Sequence, residues 1–110
     1  MKIPLKLSSN QLGVLVHSFN ALPHLPNKER DVKVARSILD KVAIKLKKKY
    51  VEIDHNKTLF SKEKKINLSI EFYEAHYLEQ FTIIIDDYPM SEYDRNVIRF
   101  IRNNLNQKLA

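Results

Sequence analysis

Two stretches decide the fold: Lys2-Ile3-Pro4-Leu5-Lys6-Leu7 and Lys65-Ile66-Asn67-Leu68-Ser69-Ile70. In each, an apolar residue alternates with a polar residue or proline. Period-two alternation places every second side chain on one face, so each stretch predicts a strand with one buried side. The stretches also align with each other. Shifted by 63 residues, 1–47 and 64–110 match without a gap. The identities are Lys2/Lys65, Ile3/Ile66, Leu5/Leu68, Leu15/Leu78, Pro26/Pro89, Glu29/Glu92, Asp31/Asp94, Val34/Val97, Arg36/Arg99, Ile38/Ile101, Lys45/Lys108 and Leu46/Leu109. Unrelated segments of this length would share roughly three, so the chain reads as one structural unit used twice.

A helix follows each strand. Ser8 and Gln11 have capping-box spacing, in which a hydroxyl accepts a backbone N–H and the amide side chain reaches back. Leu12, Leu15, Val16, Phe19 and Leu22 then recur at helical spacing. In the second copy Glu71 and Glu74 take the cap positions, and Ala75, Leu78, Phe81, Thr82 and Ile85 continue the stripe. Ile83-Ile84-Ile85 also suits a strand. Its counterpart, Asn20-Ala21-Leu22, lies in a helical pattern, so the helical reading is kept. Gly13 is the only glycine and sits inside the first helix, which predicts a tight crossing against another backbone.

The aligned prolines Pro26 and Pro89 force a turn, because a residue before proline avoids the helical region. A second helix starts after each. Asn27 is its cap in the first copy, and Ser91 with Asp94 gives a start signal in the second. Val34, Ala35, Ile38, Leu39, Val42 and Leu46 form one apolar stripe; Val97, Ile98, Ile101, Leu105 and Leu109 form the other. Residues 48–63 link the copies. Tyr50-Val51-Glu52-Ile53 extends the helix or forms a short strand, and Asp54-His55-Asn56-Lys57 reads as a turn. A lone strand leaves its backbone groups unpaired, so the two strands should pair with each other. The expectation is a mainly α, α+β domain over 1–110: a tandem strand–helix–helix repeat, with four helices packed on a two-stranded antiparallel ribbon. Repeat one is 1–47, the linker 48–63 and repeat two 64–110.

Composition narrows the function. The chain has no Cys, which excludes disulfide partners, thiolate metal sites and cysteine nucleophiles. Lys2 and Lys6 flank too short an apolar segment for a secretory leader, and no stretch is apolar enough to span a bilayer, so a cytoplasmic protein is expected. Heavy use of Lys, Ile and Asn points to an AT-rich, bacterial genome. A single glycine rules out a glycine-rich nucleotide loop, and no cofactor is expected. The net charge of +6 resides in the first copy: 1–47 carry nine Lys/Arg against three Asp/Glu, while 64–110 carry six against seven.

Several clusters are candidates for function. Arg95, Arg99 and Arg102 share a helix face, and guanidinium forks suit phosphate. Lys41, Lys45 and Lys48 form a ridge beside Lys47 and Lys49. Both would serve nucleic acid; both also read as a solvated face or a helix C-terminus favouring cations. His17, His24 and His76 show no i, i+4 metal pair, so no metal site is expected. Asp86, Asp87, Glu92 and Asp94 could act as acid and base, but an acidic helix start explains them more simply, and no catalytic residue is assigned. The first helix carries no formal charge from Ser9 to Leu22, and the third is broadly apolar with Phe72, Tyr73, Tyr77, Ile83 and Ile84 beyond its stripe. Helices apolar nearly all round are buried on more than one side. Gly13, Val14, His17, Ala21, Tyr73 and Tyr77 are therefore the candidate interface, either with a partner or between the two halves of the chain.

The expected function is a small non-enzymatic binding or scaffolding protein that self-associates or binds another protein through apolar helix faces. The alternative is a basic nucleic-acid-associated protein. The repeat serves as a filter: features in both copies belong to the fold, and features in one copy are where function can have been added.

Overall fold

A computed structural model describes residues 2–24, 30–55 and 66–110. Strand β1 (Lys2–Leu7) leads into helix α1 (Ser9–Ser18), which tightens into a 3-10 helix over Phe19–His24. Helix α2 (Arg30–His55) follows. The same order then recurs as strand β2 (Ile66–Glu71), helix α3 (Phe72–Ile84), a 3-10 turn (Ile85–Asp87) and helix α4 (Glu92–Leu109).

The strands pair antiparallel, with Ile3 opposite Ile70, Leu5 opposite Leu68 and Leu7 opposite Ile66. Leu5 and Leu68 are each other's counterparts in the sequence alignment. The register is therefore centred on one aligned pair. Ile3, Leu5, Leu7, Leu68 and Ile70 are buried, while Lys2, Pro4, Lys6, Asn67 and Ser69 are exposed. A slip of one residue would exchange the two faces, so burial itself fixes the register. Pro4 lies on the outer strand edge, where its missing N–H costs no ladder bond, and its carbonyl accepts the Lys108 ammonium. A lysine at an open edge also opposes pairing with another strand.

The predicted caps form. Ser8 N donates to Gln11 Oε1 at 2.9 Å and Gln11 N donates to Ser8 Oγ at 3.1 Å. Asp94 N donates to Ser91 Oγ at 3.1 Å. At the start of α3, Glu71 N donates to Glu74 Oε1 at 2.8 Å. Glu74 is buried, and the Lys45 ammonium lies 3.4 Å from the same oxygen.

The helices bury most of the expected stripes: Leu12, Leu15, Phe19 and Leu22; then Ala75, Leu78, Phe81, Thr82 and Ile85; then Val97, Ile98, Ile101 and Leu105, while Val16 and Leu109 are half-buried at the edge of the core. Helix α1 packs between α2 and α4, and α3 packs between the same two. The Phe19 and Phe81 rings stack at 5.4 Å, joining the halves in the centre. Ile83 and Ile84 are helical, and Ile85 begins the 3-10 turn.

Three expectations change. Val34 is 45% exposed and Ala35 and Ile38 are half-buried, so the buried part of α2 is Leu39, Val42, Ala43 and Leu46. The cause is length: α2 has 26 residues against 18 in α4, and only its central turns reach the core, so the turns before Leu39 overhang it. Second, helix continues through the start of the expected linker and its turn, as far as His55. Third, Gly13 is approached by a side chain rather than a backbone. A Cβ there would lie 3.1 Å from Tyr50 Cε1 and Oη. Pro26, Asn27, Asn56 and Lys57 lie outside the described residues.

Candidate interaction surfaces

The arginine stripe faces the end of α3. Helix C-termini leave carbonyls without intrahelical partners, and cationic donors satisfy them best. Arg95 donates to the carbonyls of Asp86 and Tyr88, and Arg102 Nη2 donates to Thr82 O at 2.7 Å. Arg99 grips the Asp86 carboxylate through Nε at 3.1 Å and Nη2 at 3.3 Å, and Arg102 Nη2 lies 3.3 Å from Asp86 Oδ1. The hydrogen bond from Arg99, with the charges of Arg99 and Arg102, holds the Asp86 carboxyl below its ordinary value; partial desolvation opposes this. The Arg99 guanidinium is correspondingly held above its own. The three guanidiniums thus clasp α4 to the end of α3 and the 3-10 turn that follows it, and Asp86 of the acidic cluster is part of that clasp.

The lysine ridge sits elsewhere. Lys45 reaches Glu74, at the start of α3, about 18 Å along the helix from Asp86. The two basic clusters therefore lie at opposite ends of α3 and do not merge. Lys41 and Lys48 are exposed on a face of α2 that also carries exposed Ile44 and Val51, at i, i+3, i+7 and i+10. Beside them, Lys45 and Lys49 flank a groove along Asn67–Ile70 of β2.

Four of the six predicted interface residues come together. Val14 and His17 of α1, with Ala21 of the 3-10 helix after it, line a groove of about 180 Å³ against Ile85, Tyr88, Pro89, Met90 and Ile98. Gly13, Val14 and His17 continue it toward Asn10, Tyr50 and Tyr93. Absence of a side chain at Gly13 lets the Tyr50 ring lie against α1. Val14 and Ala21 are half-buried here, which accounts for part of α1's apolar breadth.

Tyr73 and Tyr77 line neither part of this groove and belong to α3. Tyr77 is half-buried against the core, with its ring edge-on to His76 at 5.3 Å. Tyr73 is 55% exposed, and it is not alone: Phe72 is 43%, Ile83 48% and Ile84 47% exposed. With His76 and Gln80, also exposed, these residues fall within an arc of about 120° at 100° per residue. The strip runs the length of α3 and bears no Asp, Glu, Lys or Arg. The acidic residue beside it, Glu79, has its Oε2 buried without a hydrogen-bond partner. Phe72, Ile83 and Ile84 stand out in the sequence as surplus apolar residues. The outer spacing 72, 76, 80, 83 is the signal that ties them into one face.

Among the described residues, no group of three His, Asp or Glu could hold a metal ion. None of the described helices is long and apolar enough to cross a membrane. Compared with protein-family models, curated proteins and solved structures, the chain matches none.

Proposed function

We propose that this is a small cytoplasmic binding or scaffolding protein, without enzymatic activity, that self-associates through an apolar helix face. The observation that carries the reading is the outer face of α3: four large apolar side chains, each about half exposed, on one uncharged arc. Together they leave on the order of 300–400 Å² of apolar surface open, at the scale where patches mark interaction sites. The groove between α1 and α4 is a smaller second apolar surface. Of the acidic cluster around the start of α4, Asp86 is engaged structurally by two arginines, and Glu74 on α3 is held by a cap and a lysine. Light scattering on a size-exclusion column, over a dilution series, tests the proposal. Mass should rise with concentration toward a defined oligomer. A strict monomer at every concentration overturns it.

A second reading, nucleic-acid binding, is favoured by one feature, the exposed Lys41 and Lys48 with their neighbour Lys47. The arginines add little to it, since backbone carbonyls and Asp86 already hold them. Retention of an oligonucleotide that falls steeply with salt is the expected signature, and absence of retention at low salt removes this reading.

A further inference from the structure

We infer that α3 docks antiparallel on the α3 of a second copy, about a twofold axis at the level of Leu78. This rests on the self-association reading and adds to it the contact face, the orientation and the register.

The outer face of α3 is complementary to itself when reversed. In an antiparallel pair centred at residue 78, Phe72 of one copy lies opposite Ile84 of the other, and Tyr73 opposite Ile83. His76 lies opposite Gln80. Aromatic rings meet branched aliphatic side chains at both ends, and the two neutral polar residues meet in the middle, where imidazole and amide can exchange a hydrogen bond. A twofold interface requires this: if residue i touches j, then j touches i. In a parallel pair the ends would place like on like and leave His76 against His76 and Gln80 against Gln80.

Charge allows the same arrangement. The chain carries +6 overall, yet the strip has no formal charge. Two copies can therefore meet there without opposing lysines. The cationic ridge of α2 and the arginines of α4 stay outside the contact.

The fold does not need these side chains. At the aligned positions of α1 and the 3-10 helix after it stand Ser9, Asn10, Gly13, His17, Asn20 and Ala21 in place of Phe72, Tyr73, His76, Gln80, Ile83 and Ile84. Helix α1 carries the same capping box and reaches the same core with small or polar residues there. The large apolar groups of α3 are a property of one copy only, on the side facing away from the shared core.

The area suffices for a modest dimer. With His76 and Gln80 the face offers on the order of 500 Å² per copy, near the lower bound for a specific interface. Association is expected in the micromolar range rather than as an obligate dimer.

The chain has no cysteine, so disulfide trapping reads the register directly. Tyr73→Cys and Ile83→Cys are made as separate proteins, one carrying a size tag, then mixed and mildly oxidised. Positions 73 and 83 lie about 15 Å apart on one helix, beyond disulfide reach, so each bridge must join two chains. Asn20→Cys, at the exposed counterpart of Ile83 on α1, gives the collisional rate. The antiparallel register predicts a mixed 73–83 disulfide forming at least about tenfold faster than that background, with neither protein bridging to itself above it. Bridging of each protein to itself means a parallel pair and overturns the register. Background-level bridging, when light scattering shows a dimer, overturns this inference and leaves the self-association reading standing. Background-level bridging with a monomer at every concentration overturns both.

Discussion

Phe81→Ala tests whether the two halves share one core. The Phe81 ring is fully buried and stacks on Phe19 at 5.4 Å, so it belongs to both halves at once. Truncating a buried Phe to Ala costs about 3–5 kcal/mol, through lost transfer energy and the cavity left behind. Loss of the ring pair accounts for about 1 kcal/mol within that range. A chain of this length has about 5–10 kcal/mol of stability, so the variant should be marginal at room temperature. With a urea m value of about 1–1.5 kcal/mol/M, the midpoint should fall by about 2–5 M. Phe81→Leu keeps most of the volume and should cost less than half as much. Far-ultraviolet circular dichroism and tyrosine fluorescence provide two probes, since the chain has five Tyr and no Trp. Both should report one coincident transition in wild type and variant. Two separated transitions, or a loss under about 1 kcal/mol for Phe81→Ala, would refute a core common to both halves.

The other predictions concern charge and helix ends. Asp86 has a lowered pKa when folded, so its clasp contributes stability above its unfolded pKa and loses it as pH falls through and below the ordinary carboxylate range. Thermal midpoints from pH 7 down to pH 3 should show this component in the wild type and lack it in Asp86→Asn; parallel curves would rule it out. Arg102→Leu removes the donor to Thr82 O and should cost about 1–2 kcal/mol by urea denaturation, without changing any oligonucleotide binding. Gly13→Ala gains up to about 1 kcal/mol of helix propensity, while the Tyr50 ring at 3.1 Å must shift by a few tenths of an ångström. Tyr50 is half-buried beside an open groove and can give way, so a small rise in melting temperature is expected. A fall would mean that the ring is held rigidly.

Most of the fold is legible because it rests on local rules. Ile3, Leu5 and Leu7 alternate, Ser8 and Gln11 cap, and Phe81 and Thr82 fall on one helical face; each is set by neighbours in the chain. The features that escape are set by tertiary packing. Val34 follows the helical period and is still exposed, because the length of α2 decides which turns reach the core. Tyr50 gives no sign in sequence that it will lie against Gly13, 37 positions away. The arginine stripe is visible as a stripe, but besides the Asp86 carboxylate its partners are main-chain carbonyls at and after the end of α3, which no residue code announces. For the candidate interface, Tyr73 is legible as surplus apolar surface. That Gly13, Val14, His17 and Ala21 line a groove apart from Tyr73 and Tyr77 depends on how α4 starts beside α1.

Sedimentation equilibrium of the wild type beside Tyr73→Glu and Ile84→Glu tests the central claim most directly. Both side chains are about half exposed, so the substitutions should leave the melting temperature nearly unchanged. A concentration-dependent dimer is expected for the wild type, and for each variant a dissociation constant raised by at least about a hundredfold, from unpaired carboxylates buried in an apolar contact. A wild type that stays monomeric to high concentration, or variants that associate as well as it does, would contradict it.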